Sequence, residues 1–512
     1  MALSQALSNC SAQAIPFPTI FGAEFSSVQA SLVQNYSLPD GAKSYRFFRD
    51  DAFGRNMSFC NVTLTHTHPG QNDSIISQVW LPIQPEWNGR LRMVGGGGWA
   101  VGLEWFTDIT MSAVVADGYA TVTTNGGVSS DGPDVWGLIS PGNVDLLALQ
   151  NFAYVGLKDA ALAAKSVINS FFGQLPSFSY FDGCSQGGRQ GLGFAQRYPD
   201  IFDGIQAIAP VIHTEFIIAA HFPQQVINEL DQAPHPCEID ALTRLAIEEC
   251  DGQDGVVDGI ISNEDACHFD PYTAVGKNLN CSSPTSPNRI SKSAAMVADA
   301  AWNGARRADG SFLWHTMGHQ TNLTMESGLA RTVCSMNGTC AGEGSLLLTT
   351  AIRMFAKDAN FDVSSMSRRD YEQIFRTAFV EFDSMLGTRS PYLYDFKQGG
   401  GKILSFHGLA DEIITFRGTR QYYDAVSAID PNVHEFFRFF EAPGLGHCQG
   451  GVGGYPPRSF EALVDWVEKG IAPDVLEAID IANRTSLLCP YPKRAAFVGA
   501  GPNYSADDFI CK

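Results

Sequence analysis

The stretch that decides the fold is Phe178-Ser179-Tyr180-Phe181-Asp182-Gly183-Cys184-Ser185-Gln186-Gly187. Residues 178–182 read as a buried strand and 190–198 as a helix, so Gly183-Cys184-Ser185-Gln186-Gly187 falls on the turn between them. That is G-x-S-x-G in the strand–turn–helix context a nucleophile elbow requires. The glycines matter because the turn leaves no room for Cβ atoms on either side of the serine. Held there, the Ser185 hydroxyl stands at the end of a sheet, and the helix N-terminus behind it favours developing negative charge.

Working outward, short apolar runs alternate with segments of helical periodicity. Strands are predicted at 91–94, 119–124, 178–182 and 204–209, and helices at 111–117, 145–172 and 190–198. Such alternation implies an α/β fold with a mostly parallel sheet covered on both faces. The pattern stops near 211 and resumes with strands at 402–407 and 433–441 and helices at 417–426 and 459–469. A catalytic domain of residues 1–210 and 395–512, interrupted by an inserted, loop-rich domain of 211–394, accounts for the pause. Residues 1–75 read as irregular up to a strand-like stretch ending at Trp80.

A serine nucleophile needs a base, and the base an orienting acid. In this topology they follow in the order Ser, Asp/Glu, His, each beyond a later strand. The strand at 402–407 leads into His407-Gly408-Leu409-Ala410-Asp411, and that at 433–441 into Pro443-Gly444-Leu445-Gly446-His447. The expected triad is therefore Ser185, Asp411 and His447. Glu412 is the rival acid but is expected to face solvent; His407 reads as a core histidine, and His434 has no glycine loop to aim it. Cys184 directly precedes the nucleophile and Cys448 directly follows the base. If Ser185 and His447 meet, their neighbours fall within disulfide reach. Gly95-Gly96-Gly97-Gly98, after the first core strand, supplies the other half of an oxyanion hole. Its donors are expected to be the Gln186 amide and that of Gly96 or Gly97.

Asp251, Asp254 and Asp258 are spaced by glycines in the Cys250–Cys267 region. Carboxylates in a tight glycine-rich loop suit a hard cation, calcium above all, although the spacing is not that of an EF-hand. The site would be structural, being far in sequence from the triad.

The chain has 512 residues, 45% apolar and 17% charged, which excludes intrinsic disorder. A net charge of -20 argues against nucleic acid or an anionic membrane surface as partner. No apolar window is long enough to span a bilayer. Twelve cysteines without any C-x-x-C read as disulfides rather than zinc ligands. Asn9, Asn35, Asn56, Asn61, Asn72, Asn280, Asn322, Asn337, Asn483 and Asn503 each begin an N-x-[ST] triplet. Cysteines and sequons together place the protein in the secretory pathway and the extracellular space, as a mature form with its signal removed.

The pairs Cys184-Ser185 and His447-Cys448, with Asp411 between them, resemble the CS-D-HC pattern of the tannase and feruloyl esterase family. The resemblance covers nearly the whole chain and implies an α/β-hydrolase core with a lid that selects the aromatic acid. It implies calcium ligation by Asp251, Asp254 and Asp258 side chains and the Val256 and Ile260 carbonyls, and bridges Cys250–Cys267 and Cys489–Cys511. Cys10, Cys60, Cys237, Cys281, Cys334 and Cys340 stay unassigned beyond local or 10–60 pairing. The activity implied is that of a secreted serine esterase acting on feruloyl esters of plant cell-wall polysaccharide. Tannase is the alternative, and an inactive carbohydrate-binding relative a third reading. The lid aromatics Trp314, Phe355 and Phe361 are candidates to stack on the acid ring, though each fits lid core better.

Overall fold

The computed structural model describes residues 8–38, 42, 56–281, 286–499 and 504–512. The nine strands of its main sheet are β1 (Glu24–Tyr36), β2 (Met57–Thr67), β3 (Ile75–Gln84), β4 (Arg90–Val94), β5 (Ala120–Thr124), β6 (Phe178–Cys184), β7 (Gly204–Ile208), β8 (Lys402–Gly408) and β9 (Phe437–Ala442). They lie in the order β1-β2-β3-β5-β4-β6-β7-β8-β9. From β5 to β9 all pairings are parallel, whereas β1, β2 and β3 add an antiparallel edge.

Alternation along the strands sorts side chains into two apolar layers, as a parallel sheet covered twice requires. Leu91, Met93, Phe181, Ile205 and Ile403 face one way, against α2 (Gly156–Phe172) and α3 (Gln186–Arg197). Val94, Tyr180, Ile208, Leu404 and Phe406 face the other, against α1 (Trp105–Ala116) and α11 (Ser459–Lys469). Among the described residues, the segment between β7 and β8 contributes no strand to this sheet. It is loop-rich as expected, but it also carries α4 (Thr214–Ala220), α5 (Phe222–Glu229), α6 (Pro236–Cys250), α7 (Lys292–Trp302), α8 (Leu346–Ala356) and α9 (Arg368–Thr377). Their apolar residues, Ile239, Val297 and Phe355 among them, continue the first layer outward. α10 (Phe416–Ile429) returns the chain beside β8.

The N-terminal region also departs from its reading as irregular. β1 and β2 pair from Glu24↔Thr67 to Tyr36↔Met57, and β2 buries Phe59, Val62, Leu64 and His66. Six disulfides use all twelve cysteines: 10–60, 184–448, 237–281, 250–267, 334–340 and 489–511. Among the described residues no helix is long and apolar enough to cross a membrane.

Candidate active site

β6 runs to Cys184, and α3 starts at Gln186, so Ser185 alone makes the turn, with φ 64 and ψ -121. A non-glycine residue holds positive φ only where its surroundings fix it. Here the Ser185 amide donates to the Ile208 carbonyl at 2.9 Å, and its carbonyl accepts from the Arg189 amide at 3.0 Å. The requirement for glycine is steric: a Cβ at Gly183 would lie 2.6 Å from the Gly187 carbonyl carbon.

The acid and base sit on neighbouring loops that are laced together. Leu409 N–H donates to the Ala442 carbonyl (2.9 Å) and Ala410 N–H to that of Leu445 (3.0 Å). This sets Asp411, which is 2% exposed, against His447. His447 Nδ1 lies 2.9 Å from Asp411 Oδ2 and 3.1 Å from Oδ1. Burial alone would raise the Asp411 carboxyl. The His447 charge and hydrogen bonds from His407 and His447 overcome it and hold the group far below the usual carboxylate range. Burial works against the His447 cation, but the adjoining Asp411 carboxylate wins and lifts the imidazole above its ordinary value.

Cys184 and Cys448 are joined with their Cα atoms 5.8 Å apart. Both sulfurs and a His447 ring nitrogen lie within 4.8 Å of one another. The disulfide thus brings the residue after β6 and the residue before Cys448 to one place. Among the described residues the ring and amide hydrogen bonds of His447 run to Asp411 and Glu412, and catalytic contacts in ligand-free sites commonly tighten only with substrate.

Two expectations are corrected here. Glu412 does not face solvent: its Oε2 accepts the His447 backbone amide at 3.0 Å, and burial followed by the Asp411 charge raises its carboxyl. Gly96 is not a free oxyanion donor, because its amide donates to Gln190 Oε1 at 3.1 Å. A loop that packs this closely on the elbow, with a Gly95 Cβ due 2.6 Å from Gly187 Cα, spends its first amides holding itself there. The Gly97 amide is engaged as well, since it donates to the Glu104 carboxylate, which leaves the Gln186 amide of the expected donors.

The cavity that contains Ser185 lies between the sheet end and α4, α8 and their neighbours. Trp99, Phe152, Val211, Phe216, Ile217, Leu347, Leu348, Leu386, Ile413 and Ile414 form its apolar wall. Its polar members are largely engaged, although the Gln186 Nε2 group is buried without a partner. Arg189 donates to Gln186 Oε1 (2.7 Å) and to the Ala153 and Leu386 carbonyls. The Thr214 hydroxyl lies 3.0 Å from the Ala378 carbonyl and 3.1 Å from Asp383 Oδ1. Trp314, Phe355 and Phe361 are not in this wall; Phe355 is core, packed edge-on to Phe382. Sequence reasoning missed the wall because its residues look like any other helix-core leucine or phenylalanine.

The acidic loop closes on itself. Asp251 accepts the amides of Asp258, Gly259 and Ile260, Asp254 accepts that of Val256, and the Tyr504 hydroxyl donates to Asp258 at 2.6 Å. Burial raises the Asp258 carboxyl; the Tyr504 hydroxyl opposes this, and the charges of Asp251 and Asp254 raise it further. The three carboxylates repel one another, yet among the described residues they are not one of the side-chain groups whose ligand atoms all lie within 4.8 Å of each other, so the loop presents hydrogen-bonded carboxylates and not a converged cation site.

The family described as Tannase and feruloyl esterase matches residues 60–512. A protein of Arthroderma benhamiae named "Probable feruloyl esterase" is 37% identical over 476 residues, covering 89% of this chain and 86% of its own length. A mono(2-hydroxyethyl) terephthalate hydrolase of Piscinibacter sakaiensis is 28% identical over 84% of this chain and 80% of its own. Among solved structures, a tannin acyl hydrolase from Aspergillus niger superposes with a TM-score of 0.86 at 27% identity, covering 100% of this chain and 94% of that one. Feruloyl esterase B from Aspergillus oryzae gives 0.78 at 25% identity, covering 96% and 97%.

Proposed function

The chain belongs to the tannase and feruloyl esterase family and is a carboxylic ester hydrolase, and from that premise we propose that it is a secreted serine esterase that cleaves hydroxycinnamate (feruloyl) esters of plant cell-wall polysaccharide. Ser185 is the nucleophile, His447 the base and Asp411 the orienting acid. Asp411 accepts the Nδ1 proton of His447, which leaves Nε2 to take the Ser185 proton as Oγ attacks the ester carbonyl. The Gln186 amide, at the N-terminus of α3, receives the developing oxyanion. The proton on Nε2 then passes to the leaving alcohol. Water, deprotonated by the same imidazole, releases the acid from the acyl-enzyme.

The observation that carries the choice of acid is the apolar wall around Ser185, whose polar groups are few and, but for Gln186 Nε2, already have partners. Three galloyl hydroxyls would enter it largely unpaired, at a cost for each buried donor. A feruloyl ring brings one hydroxyl and one methoxy group. Apolar pockets reject added hydroxyls only moderately, so methyl ferulate should exceed methyl gallate in kcat/KM by about 10- to 100-fold. Equal rates, or a preference for the gallate, would make the protein a tannase, the reading favoured by its likeness to the Aspergillus niger tannin acyl hydrolase.

Segment 211–394 acts as the lid in this account, since α4 and α8 roof the cavity. Export to the extracellular space is supported by the six bridges and by the exposed sequon residues Asn35, Asn56, Asn72, Asn280, Asn322, Asn337 and Asn483. Asn503 lies outside the described residues. Calcium in the Asp251–Asp258 loop would need those carboxylates to converge, and would supply charge neutralisation and no catalytic step.

A further inference from the structure

We propose that His407 is a positioning residue of this esterase, fixing the Asp411 carboxylate through Oδ2, the oxygen that also holds His447. The proposal rests on the assignment of Asp411 and His447 as acid and base. His407 is 0% exposed at the end of β8, and its ring bridges that strand to the acid loop and to α10. Nε2 lies 3.1 Å from Asp411 Oδ2 and 3.0 Å from the Ile414 carbonyl, and Nδ1 lies 2.8 Å from the Thr419 hydroxyl.

These partners decide the tautomer. A carbonyl only accepts, so the proton belongs on Nε2, where it is shared between Ile414 and Asp411. Nδ1 then accepts the Thr419 hydroxyl proton. Asp411 therefore receives hydrogen bonds from three directions. The Ile413 and Ile414 amides reach Oδ1 at 2.9 and 2.8 Å, while His447 and His407 converge on Oδ2. The loop amides restrain one oxygen only. His407 restrains the other, the same oxygen that makes the shorter contact with His447 Nδ1. A histidine rooted in a sheet strand gives that oxygen a rigid reference, and the base inherits its orientation.

The same bond sets electron density. A donor on Oδ2 weakens that oxygen as an acceptor for His447, so losing the donor should strengthen the imidazolium. Glu412, the other charged group facing His447, is left unchanged by substitution at 407.

The test compares His407→Leu, His407→Gln and Thr419→Val with wild type. Active sites are counted by labelling to completion with a fluorophosphonate, and kcat, KM and the pH profile on methyl ferulate are measured per labelled site. His407→Leu should lose about 10- to 100-fold in kcat, the scale of losing an orienting partner behind a catalytic ligand, with KM nearly unchanged. The acid limb of its kcat/KM profile should move to higher pH. His407→Gln places an N–H near the same spot and should recover most of the loss. Thr419→Val keeps the ring but frees its tautomer, and should shift both readouts the same way by less. Unchanged kcat per labelled site in His407→Leu, or a Gln variant no better than Leu, would overturn the proposal. Should His407→Leu not fold, an unaltered Thr419→Val would do so. A wild type that neither labels nor hydrolyses would instead sink the underlying esterase reading.

Discussion

Removing the Cys184–Cys448 bond should cost this protein both rate and stability, and the two losses have separate origins. The bridge spans a sequence separation of 264. The chain-entropy expression for a loop of that length gives about 5–6 kcal/mol at 25 °C, against a more usual return of about 2–4 kcal/mol. Bridges 237–281 and 334–340 lie inside the loop and shorten it by about a fifth, which changes the figure by only about 0.2 kcal/mol because the dependence is logarithmic. The rate loss follows from position. With the sulfurs apart, the elbow and the His447 loop are held together only by the sheet and by packing. A misplacement of about 1 Å between reacting groups costs on the order of 100-fold. The Cys184→Ala/Cys448→Ala double variant is the clean reagent, since either single change leaves a thiol beside the imidazole. Each single and the double abolish the same bond, so their losses in kcat should coincide rather than add. The assay is kcat per labelled site with Tm in parallel. A double variant with wild-type kcat and a lowered Tm would show a staple with no part in alignment and refute the reasoning.

Because His447 must be unprotonated to act as base and its imidazole lies above the ordinary value, kcat/KM should rise with pH through a midpoint above about 6.5; a midpoint below that value, measured on methyl ferulate, would contradict the Asp411–His447 pairing. If calcium draws the Asp251–Asp258 loop together, chelation should lower Tm more than initial turnover, and immediate loss of rate at constant Tm would make the ion catalytic. His68, held between Asp73 (2.6 Å) and Asp159 (2.8 Å), has burial against its charge, yet the hydrogen bonds it donates to both carboxylates lift it above its usual value. A raised histidine adds stability below its unfolded pKa and loses it as pH climbs through the folded one. The Tm gap between wild type and His68→Gln should therefore shrink from pH 6 to pH 9, and a gap that widens would count against a charged His68.

The central strands and the triad loops were legible because both physical signals are local. A doubly covered strand is a continuous apolar run, and a residue held beyond a strand end needs glycine beside it, as at Gly183 and Gly446. The disulfide was legible for a different reason: two motifs hundreds of residues apart each carried a cysteine one step from the chemistry. β1 and β2 were hidden because antiparallel strands with one solvated face alternate apolar residues with Ser, Thr and Asn, and sequons disguise them further. Glu412 was weighed as a rival acid facing solvent and His407 as a core histidine, since nothing in sequence tells a carboxylate bound to a neighbouring loop's amide from one in water. Gly96 was misjudged because the direction of an amide depends on what packs behind it, here the Gln190 side chain.

The most direct test of the account is the identity of the labelled residue. Fluorophosphonate treatment followed by peptide mapping should place one adduct per chain on Ser185, in step with the loss of ester hydrolysis. Hydrolysis that persists after full labelling, or an adduct on any other residue, would contradict it.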